Sequence, residues 1–320
     1  MTSEAPLAAN EAGIRNVEFS AMGTLCSIKF KLEDEREALR FATDALGWVG
    51  EFEAKFSRYR PDSVVSRINN AAGTRWVNID DETTHMLDLA ESLHRRTRGI
   101  LDPTLLPLQL LWDWRKVRER LPEKNEVTEA LALTGWSKVE RRPGAVRFSM
   151  RGMGLDFGGF GKEYAVDYVA RMAAERGITD TLVDFGRDIY AMGGNGKHPF
   201  WHVGIEDGNK PGQCWGGLAV NNRAVSASGD YARFFNYGGK RYGHILDPRT
   251  GWPVANGMRA VTVVAGSCIE AGAYSTAVFV LGAEEGLELV NFARNVDACI
   301  QTEDGIGGTR KFSQWLIKAA

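Results

Sequence analysis

The stretch Leu155-Asp156-Phe157-Gly158-Gly159-Phe160-Gly161-Lys162 reads as a short strand over 155–157, a glycine loop and the start of a helix. Amides at a helix N-terminus point outward and favour anions, and a lysine there adds a full positive charge, so phosphate is the natural guest. The loop is not a P-loop, because GxxxxGK[ST] needs Gly at 156 and Ser or Thr at 163, where Asp156 and Glu163 stand. It does not continue into the GxGxxG fingerprint of dinucleotide-binding βαβ units either. Taken alone, the residues fit a phosphate cradle and a structural tight turn equally well.

Outward from this loop, Lys162 to Arg176 is predicted as a helix with Ala165, Val169 and Met172 on one side, and Leu182 to Phe185 as the next strand. Upstream, apolar and polar residues alternate from Val17 to Phe30 around Met22-Gly23-Thr24, which predicts a hairpin. Asp34 opens a helix with Ala38, Ala42, Ala45, Val49 and Phe52 at helical spacing, and a second helix runs from Glu82 to Arg98, closed by Gly99. Leu105 to Leu121 is helical in part, a short helix covers Glu126 to Leu133, and Lys138 to Met150 alternates as strands do. Several strands broken by Gly, Asn and Asp turns lead to Val264, and the chain finishes in helices over Tyr274–Leu281 and Glu284–Ala293. Strands and helices interleave without a βαβ rhythm, so the fold class is α+β and not a doubly wound sheet. Residues 1–14 read as a flexible tail and 15–320 as a single compact unit.

Lys and Arg total 39 against 41 Asp and Glu, a net charge of −2 with no long basic cluster, which argues against nucleic acid as a partner. No stretch of 18 or more apolar residues spans a bilayer. The N-terminus lacks the basic start and apolar run of a secretory signal, so a cytoplasmic location is expected. Cys26, Cys214, Cys268 and Cys299 are scattered singly, which argues against a disulfide framework or a structural zinc site. Glycine is the unusual count: 36 residues, about 11% against a typical ~7%, of which 24 fall between 152 and 282. Such a local excess marks either ligand loops or a turn-rich β region.

Two further clusters carry chemistry. Ser226-Ala227-Ser228-Gly229-Asp230-Tyr231 and Tyr242-Gly243-His244-Ile245-Leu246-Asp247-Pro248-Arg249-Thr250-Gly251 interleave hydroxyls, carboxylates and a histidine with turn residues. His244 is either a general base near neutral pH or the tie of a turn. Phe56-Ser57-Arg58-Tyr59-Arg60-Pro61-Asp62-Ser63, continuing to Asn69, offers an aromatic between arginines for a planar ring and phosphate, or else a solvated loop.

Read together, these segments resemble the ApbE family, the FAD:protein FMN transferases. The resemblance runs through Met22-Gly23-Thr24, Phe56-Ser57 with Tyr59, Ser63 and Asn69, Asp102-Pro103-Thr104, Asp156 to Lys162 with Tyr164, Ala165 and Asp167, and Gly186 with Asp188. It continues through Trp201 to Glu206, Ser228 to Tyr231, His244 to Pro248 with Thr250-Gly251, and Ser275-Thr276 before Leu281-Gly282. It implies an ApbE/T-fold-like architecture of mixed and antiparallel sheets with packed helices. It also implies an enzyme that uses Mg²⁺ and transfers the FMN half of FAD to a Thr or Ser hydroxyl of an acceptor flavoprotein, through a phosphoester bond, releasing AMP. The FAD-binding residues implied are Met22, Tyr59, Asp102, Gly158, Gly159, Lys162, Asp188, Ser228, Gly229, Asp230, His244, Ile245 and Asp247, with His244 as base. Gly161, through its carbonyl, and Thr276 are the implied metal ligands.

The departures are as specific as the matches. The family's Ala-Asp-Ala-x-Ser-Thr is here Ala271-Gly272-Ala273-Tyr274-Ser275-Thr276, without the metal-binding carboxylate, and its Lys-Gly-Tyr-Ala is Lys162-Glu163-Tyr164-Ala165. A carboxylate is thus missing at 272 and present at 163. Glu163 is therefore expected either as the replacement ligand, from the opposite side of the site, or as a first-turn surface residue. Arg187 stands where Gly is usual. Two rival readings stand beside transfer: a pyrophosphatase yielding FMN and AMP, with water in place of the acceptor hydroxyl, or, because Gly272 offers no metal ligand, a protein that binds FAD without turnover.

Overall fold

The computed structural model describes residues 7–116 and 119–317. β1 (Ile14–Ala21) and β2 (Thr24–Lys31) pair across Met22-Gly23, whose φ values of 50° and 72° are the left-handed ones a tight hairpin turn requires. The Asp34 carboxylate accepts the N–H groups of Arg36 and Glu37 and so caps α1 (Glu35–Phe56), whose Ala38, Ala45, Val49 and Phe52 stripe is buried. Then follow α2 (Val64–Asn70), β3 (Val77–Asn78), α3 (Asp81–Arg96), α4 (Leu106–Leu111), α5 (Lys124–Ala132), β4 (Val139–Arg142), β5 (Ala145–Phe148) and α6 (Gly161–Glu175). Beyond α6 lie β6 (Thr181–Phe185), β7 (Asp188–Met192), β8 (Trp201–Glu206), β9 (Cys214–Val220), β10 (Arg223–Gly229), β11 (Phe234–Tyr237), β12 (Lys240–Gly243) and β13 (Met258–Ala265). The remaining elements are α7 (Cys268–Leu281), α8 (Ala283–Phe292), β14 (Asp297–Thr302) and β15 (Ile306–Gly308).

One 8-stranded sheet organises the molecule, in the order β1-β2-β6-β7-β10-β13-β14-β15. Every strand pairing among the described residues is antiparallel, and a single isolated bridge, Leu105 to Gly154, is parallel. α1, α6, α7 and α8 cover one face, where Phe30, Phe41, Val169, Phe185, Val261, Val278 and Ile300 are buried together. The β8–β9 hairpin covers the other face with Trp201, Val203, Ile205, Leu218 and Val220, and Phe312 joins them. Trp112, Leu108, Val127 and Leu246 form a separate small core under α4 and α5. Among the described residues no helix is long and apolar enough to cross a membrane.

Four expectations are corrected. Residues 155–157 form no strand: Phe157–Gly159 is a turn of 3₁₀ helix, and Leu155 pairs instead with a side chain, its N–H donating to Asn69 Oδ1 (2.7 Å) and its carbonyl accepting from Asn69 Nδ2 (2.9 Å). The amide of Asn69 takes up the two backbone bonds that a neighbouring strand would have made. The segment beyond Ser63 is no solvated loop, because Ser63 caps α2 through the Ser66 N–H and Val64, Val65 and Ile68 are buried. α7 starts at Cys268, well before Tyr274, with Ser267 as its cap. The two expected helices are not the final elements, since β14 and β15 extend the sheet beyond them and a turn of 3₁₀ helix follows at Phe312–Trp315. Of the expected N-terminal tail, residues 1–6 lie outside the described residues; Asn10 binds the N–H groups of Ala12 and Ile14, and Ile14 already belongs to β1. The expected Leu105–Leu121 helical segment holds α4, and its residues 117–118 also lie outside the described residues.

Candidate active site

The glycine loop is braced from three sides. Asp156 N–H donates to the Pro103 carbonyl (2.8 Å), its carboxylate accepts the Gly158 N–H (2.8 Å), and Arg58 forms an ion pair with it at 2.9 Å. Asp102 fixes the facing turn, accepting from the Thr104 N–H (2.8 Å) and hydroxyl (2.6 Å), while the Thr104 hydroxyl accepts the Gly135 N–H. Gly158 and Gly159 stay exposed on this rigid base, and no side chain caps the N-terminus of α6. Uncapped first-turn amides next to exposed glycines leave donors for an anion.

Behind the loop, the structure brings Lys162, Glu163, Asp188, Ser228 and Thr276 to the junction of α6, α7, β7 and β10. Lys162 Nζ makes a close ion pair with the buried Asp188, whose other oxygen accepts a short hydrogen bond from Ser226. Ser228 Oγ lies 2.9 Å from Ser275 Oγ and 3.2 Å from Thr276 Oγ1, and Ser275 donates to the Gly272 carbonyl at 3.0 Å. Glu163 is buried, with Oε1 3.9 Å from Lys162 Nζ and Oε2 without a hydrogen-bond partner. Its side chain fills the space beside Gly272: a Cβ there would stand 2.7 Å from Glu163 Cγ and 3.0 Å from Oε1. One turn along α6, Asp167 accepts the Cys268 and Ile269 N–H groups at 2.7 and 3.0 Å and anchors the start of α7. Burial pushes its carboxyl up to about 6, against those two hydrogen bonds.

Two hairpin turns close this end of the sheet. Gly186-Arg187 links β6 to β7 with φ values of 63° and 75°, and the Gly186 N–H reaches the Leu25 carbonyl next to the Met22-Gly23 turn. A side chain at 186 would collide with Thr24. Arg187 holds its left-handed backbone while its N–H donates to Asp184 and its guanidinium pairs closely with Glu206, which also accepts the Tyr231 hydroxyl at 3.1 Å.

The His244 segment is built separately. Its backbone N–H and its ring Nδ1 both meet the Arg233 carbonyl, at 3.0 and 3.2 Å. With Nδ1 donating, Nε2 is left as the acceptor. Burial, with the charge of Arg233 as a smaller cause, pulls the imidazole down to about 4, so it is neutral at pH 7. The Ile245 carbonyl accepts the Val254 N–H, and Asp247 forks onto Arg249. Asp230, following Gly229 at the end of β10, pairs with Arg259 (3.1 Å) and Arg241 (3.4 Å) and packs beside Gly243. Among the described residues no hydrogen bond joins His244 to the Lys162 group. Tyr59 is exposed, held by the Arg58 guanidinium 4.2 Å over its ring and by Arg115 at 5.4 Å, with both arginines donating to its hydroxyl. Sequence reasoning missed Arg115; the Leu-, Trp- and Arg-rich composition around it was the available signal.

The eight-stranded sheet, the helix-borne glycine loop and the polar junction behind it define an α+β fold of the flavin-transferase kind. The structure aligns over 95% of this chain with all of the ApbE protein of Thermotoga maritima (TM-score 0.85, 29% identity) and all of the flavin transferase ApbE of Vibrio cholerae (TM-score 0.82, 26% identity). An FAD:protein FMN transferase of Treponema pallidum is 29% identical over 297 residues, covering 87% of this chain and 81% of the relative. The ApbE family model matches residues 22–300, and the chain belongs to the ApbE family.

Proposed function

We propose that this protein transfers the FMN moiety of FAD to a Thr or Ser hydroxyl of an acceptor flavoprotein and releases AMP. The observation that carries this reading is the family match over residues 22–300, with relatives of that named activity aligned over most of their length. The geometry supports it. The exposed Gly158-Gly159 loop and the uncapped α6 amides suit a pyrophosphate, and the exposed Tyr59 ring, with its two arginines, suits a flavin and its phosphate.

In the reaction, the acceptor oxygen bonds to the FMN-side phosphorus as the bond to the bridging oxygen breaks, and AMP leaves with that oxygen. The hydroxyl proton passes to Nε2 of His244, which the Arg233 carbonyl holds in the required tautomer. The free imidazole is a weak base, but the negative phosphates of bound FAD oppose the charge of Arg233 and raise its affinity for a proton. Mg²⁺, when bound, neutralises charge on the phosphoryl group in transfer and on the leaving AMP. The orphaned Glu163 oxygen and the hydroxyls of Ser228 and Thr276 suit a hard cation of this kind. Lys162 holds Asp188 in place at the edge of the same pocket.

Incubation with FAD, Mg²⁺ and a Thr-bearing acceptor domain should give AMP and an acceptor heavier by the FMN mass. AMP with free FMN instead would identify a pyrophosphatase, and intact bound FAD a binding protein. His244→Ala should retain FAD and lose turnover; full activity in that variant would refute the role of the base.

A further inference from the structure

The geometry points to Glu163 of α6 as the carboxylate ligand of a divalent cation seated between α6 and α7, with Gly272 as the opening that lets it reach there. This deepens the proposed function by naming which side chain supplies the negative charge, and it rests on that reading only for the choice of Mg²⁺.

The carboxylates around the junction are otherwise committed. Asp167 spends both oxygens on the Cys268 and Ile269 N–H groups, Asp188 is divided between Lys162 and Ser226, and Asp184 receives the Arg187 N–H. Glu163 is buried to 93% with an oxygen that finds no donor, and the other such carboxylate oxygen among the described residues, Asp230 Oδ1, belongs to a side chain already paired with Arg259 and Arg241. An uncompensated buried carboxylate oxygen is costly, so an unpaired one in a polar pocket calls for a positive partner. Lys162 meets this need only in part: it is engaged closely with Asp188, its ion pair to Glu163 is long at 3.9 Å and goes to Oε1, and Oε2 is left without a donor.

The opposite wall explains how Glu163 comes to lie there. Its Cγ, Cδ and Oε1 occupy the volume that a Cβ of residue 272 would need, so a side chain at 272 and this position of Glu163 exclude each other. One turn further along α7, Thr276 presents a hydroxyl that touches Ser228. The available donors are one carboxylate and neutral hydroxyl or carbonyl oxygens. Among the described residues no three His, Cys, Asp or Glu side chains come together as a metal site, so the cation would rest on this single carboxylate and neutral oxygens. Hard oxygen donors with a single carboxylate match Mg²⁺ or Mn²⁺, which commonly take one or two carboxylates and complete their shell with water and substrate phosphate.

The test is direct Mn²⁺ binding to the full chain, followed by loss of the free-ion EPR signal with neither FAD nor acceptor present, so that it does not depend on whether FMN is transferred. The wild type should take up one Mn²⁺, and Mg²⁺ should compete for it. Glu163→Gln, which keeps the volume and removes the charge, should weaken uptake by about tenfold or more, a step of ~1.4 kcal/mol. The double variant Glu163→Gly with Gly272→Asp moves the carboxylate from α6 to α7 and should recover uptake. A folded Glu163→Gln protein that binds Mn²⁺ as the wild type does, or a wild type that takes up none, overturns the inference. A wild type that binds Mn²⁺ through Glu163 yet never labels an acceptor leaves it standing and refutes the transferase reading instead.

Discussion

Gly272→Ala puts the α6–α7 packing to a quantitative test that needs no metal and no substrate. In an ordinary helix interior this change stabilises by about 1 kcal/mol, because glycine loses more backbone freedom on folding. Here the new Cβ would stand 2.7 Å from Glu163 Cγ and about as close to its carboxylate, in a buried pocket. Overpacking of this kind costs about 1–3 kcal/mol, so the net change should lie between neutral and ~2 kcal/mol destabilising. In a Glu163→Ala background the obstructing atoms are gone, and the same substitution should stabilise by up to about 1 kcal/mol. The sign should therefore reverse, with a coupling of roughly 1–3 kcal/mol between the two positions. Urea unfolding of the four proteins, followed by circular dichroism with EDTA present, measures it. A coupling below about 0.5 kcal/mol, or stabilisation by Gly272→Ala in both backgrounds, would refute the claim that the two side-chain volumes exclude each other.

Other tests address the supports around the site. Asn69→Ala strips both partners from Leu155, which should cost about 2–4 kcal/mol and loosen the glycine loop; urea titration with FAD affinity checks both, and an unchanged midpoint would mean water replaces the amide. The depressed imidazole of His244 has a definite sign: its folded-state value, about 4, lies below the ordinary 6.5, so its contribution is complete above pH 6.5 and fades as the pH falls toward 4. That loss is at most about 3 kcal/mol and should vanish in His244→Gln; because Asp167 shifts in the opposing sense, the variant is compared with the wild type at each pH. In kinetics, the acid limb of kcat should lie at higher pH than that of kcat/KM if bound phosphates raise His244; coincident limbs would exclude that effect. Tyr59→Ala should raise the KM for FAD about 3–10-fold with little change in kcat, measured by initial rates of AMP release, while Tyr59→Phe, which keeps the ring and gives up only the arginine contacts to the hydroxyl, should stay near the wild type.

Much of this architecture was legible in the chain because local chemistry announced it. Asp34 at the head of an apolar stripe, Met22-Gly23 between alternating strands, and Gly99 after α3 each act within a few residues of themselves. The misses have non-local causes. Leu155 reads locally as a strand residue, but the partner that takes its backbone bonds is the amide of Asn69, brought in from 86 residues away. α7 is apolar on nearly every side, so its first turns carry no period to read, and the cap at Ser267 was the remaining signal. β15 is three residues long and exposed, and only the edge of β14 makes it a strand. For the site, the Gly272–Glu163 exchange was visible as two departures from a motif. That the two positions touch required coordinates. Arg115 was unreadable as a neighbour of Tyr59, since nothing local links two residues 56 apart.

The order of strands in the sheet also bears on how the protein is made. β1, β2, β6 and β7 come from residues 14–192 and lie side by side, while β10, β13, β14 and β15 come from residues 223–308. A ribosome therefore releases one complete half-sheet before the strand that covers β7 exists, and at roughly 5–20 residues per second that edge waits for seconds. Its Asp188 must meanwhile do without Ser226, which arrives on β10. Open edges recruit other chains, so a nascent fragment stopped after Met192 should aggregate, whereas one extended through Phe312, which includes β15, should aggregate far less on a sizing column.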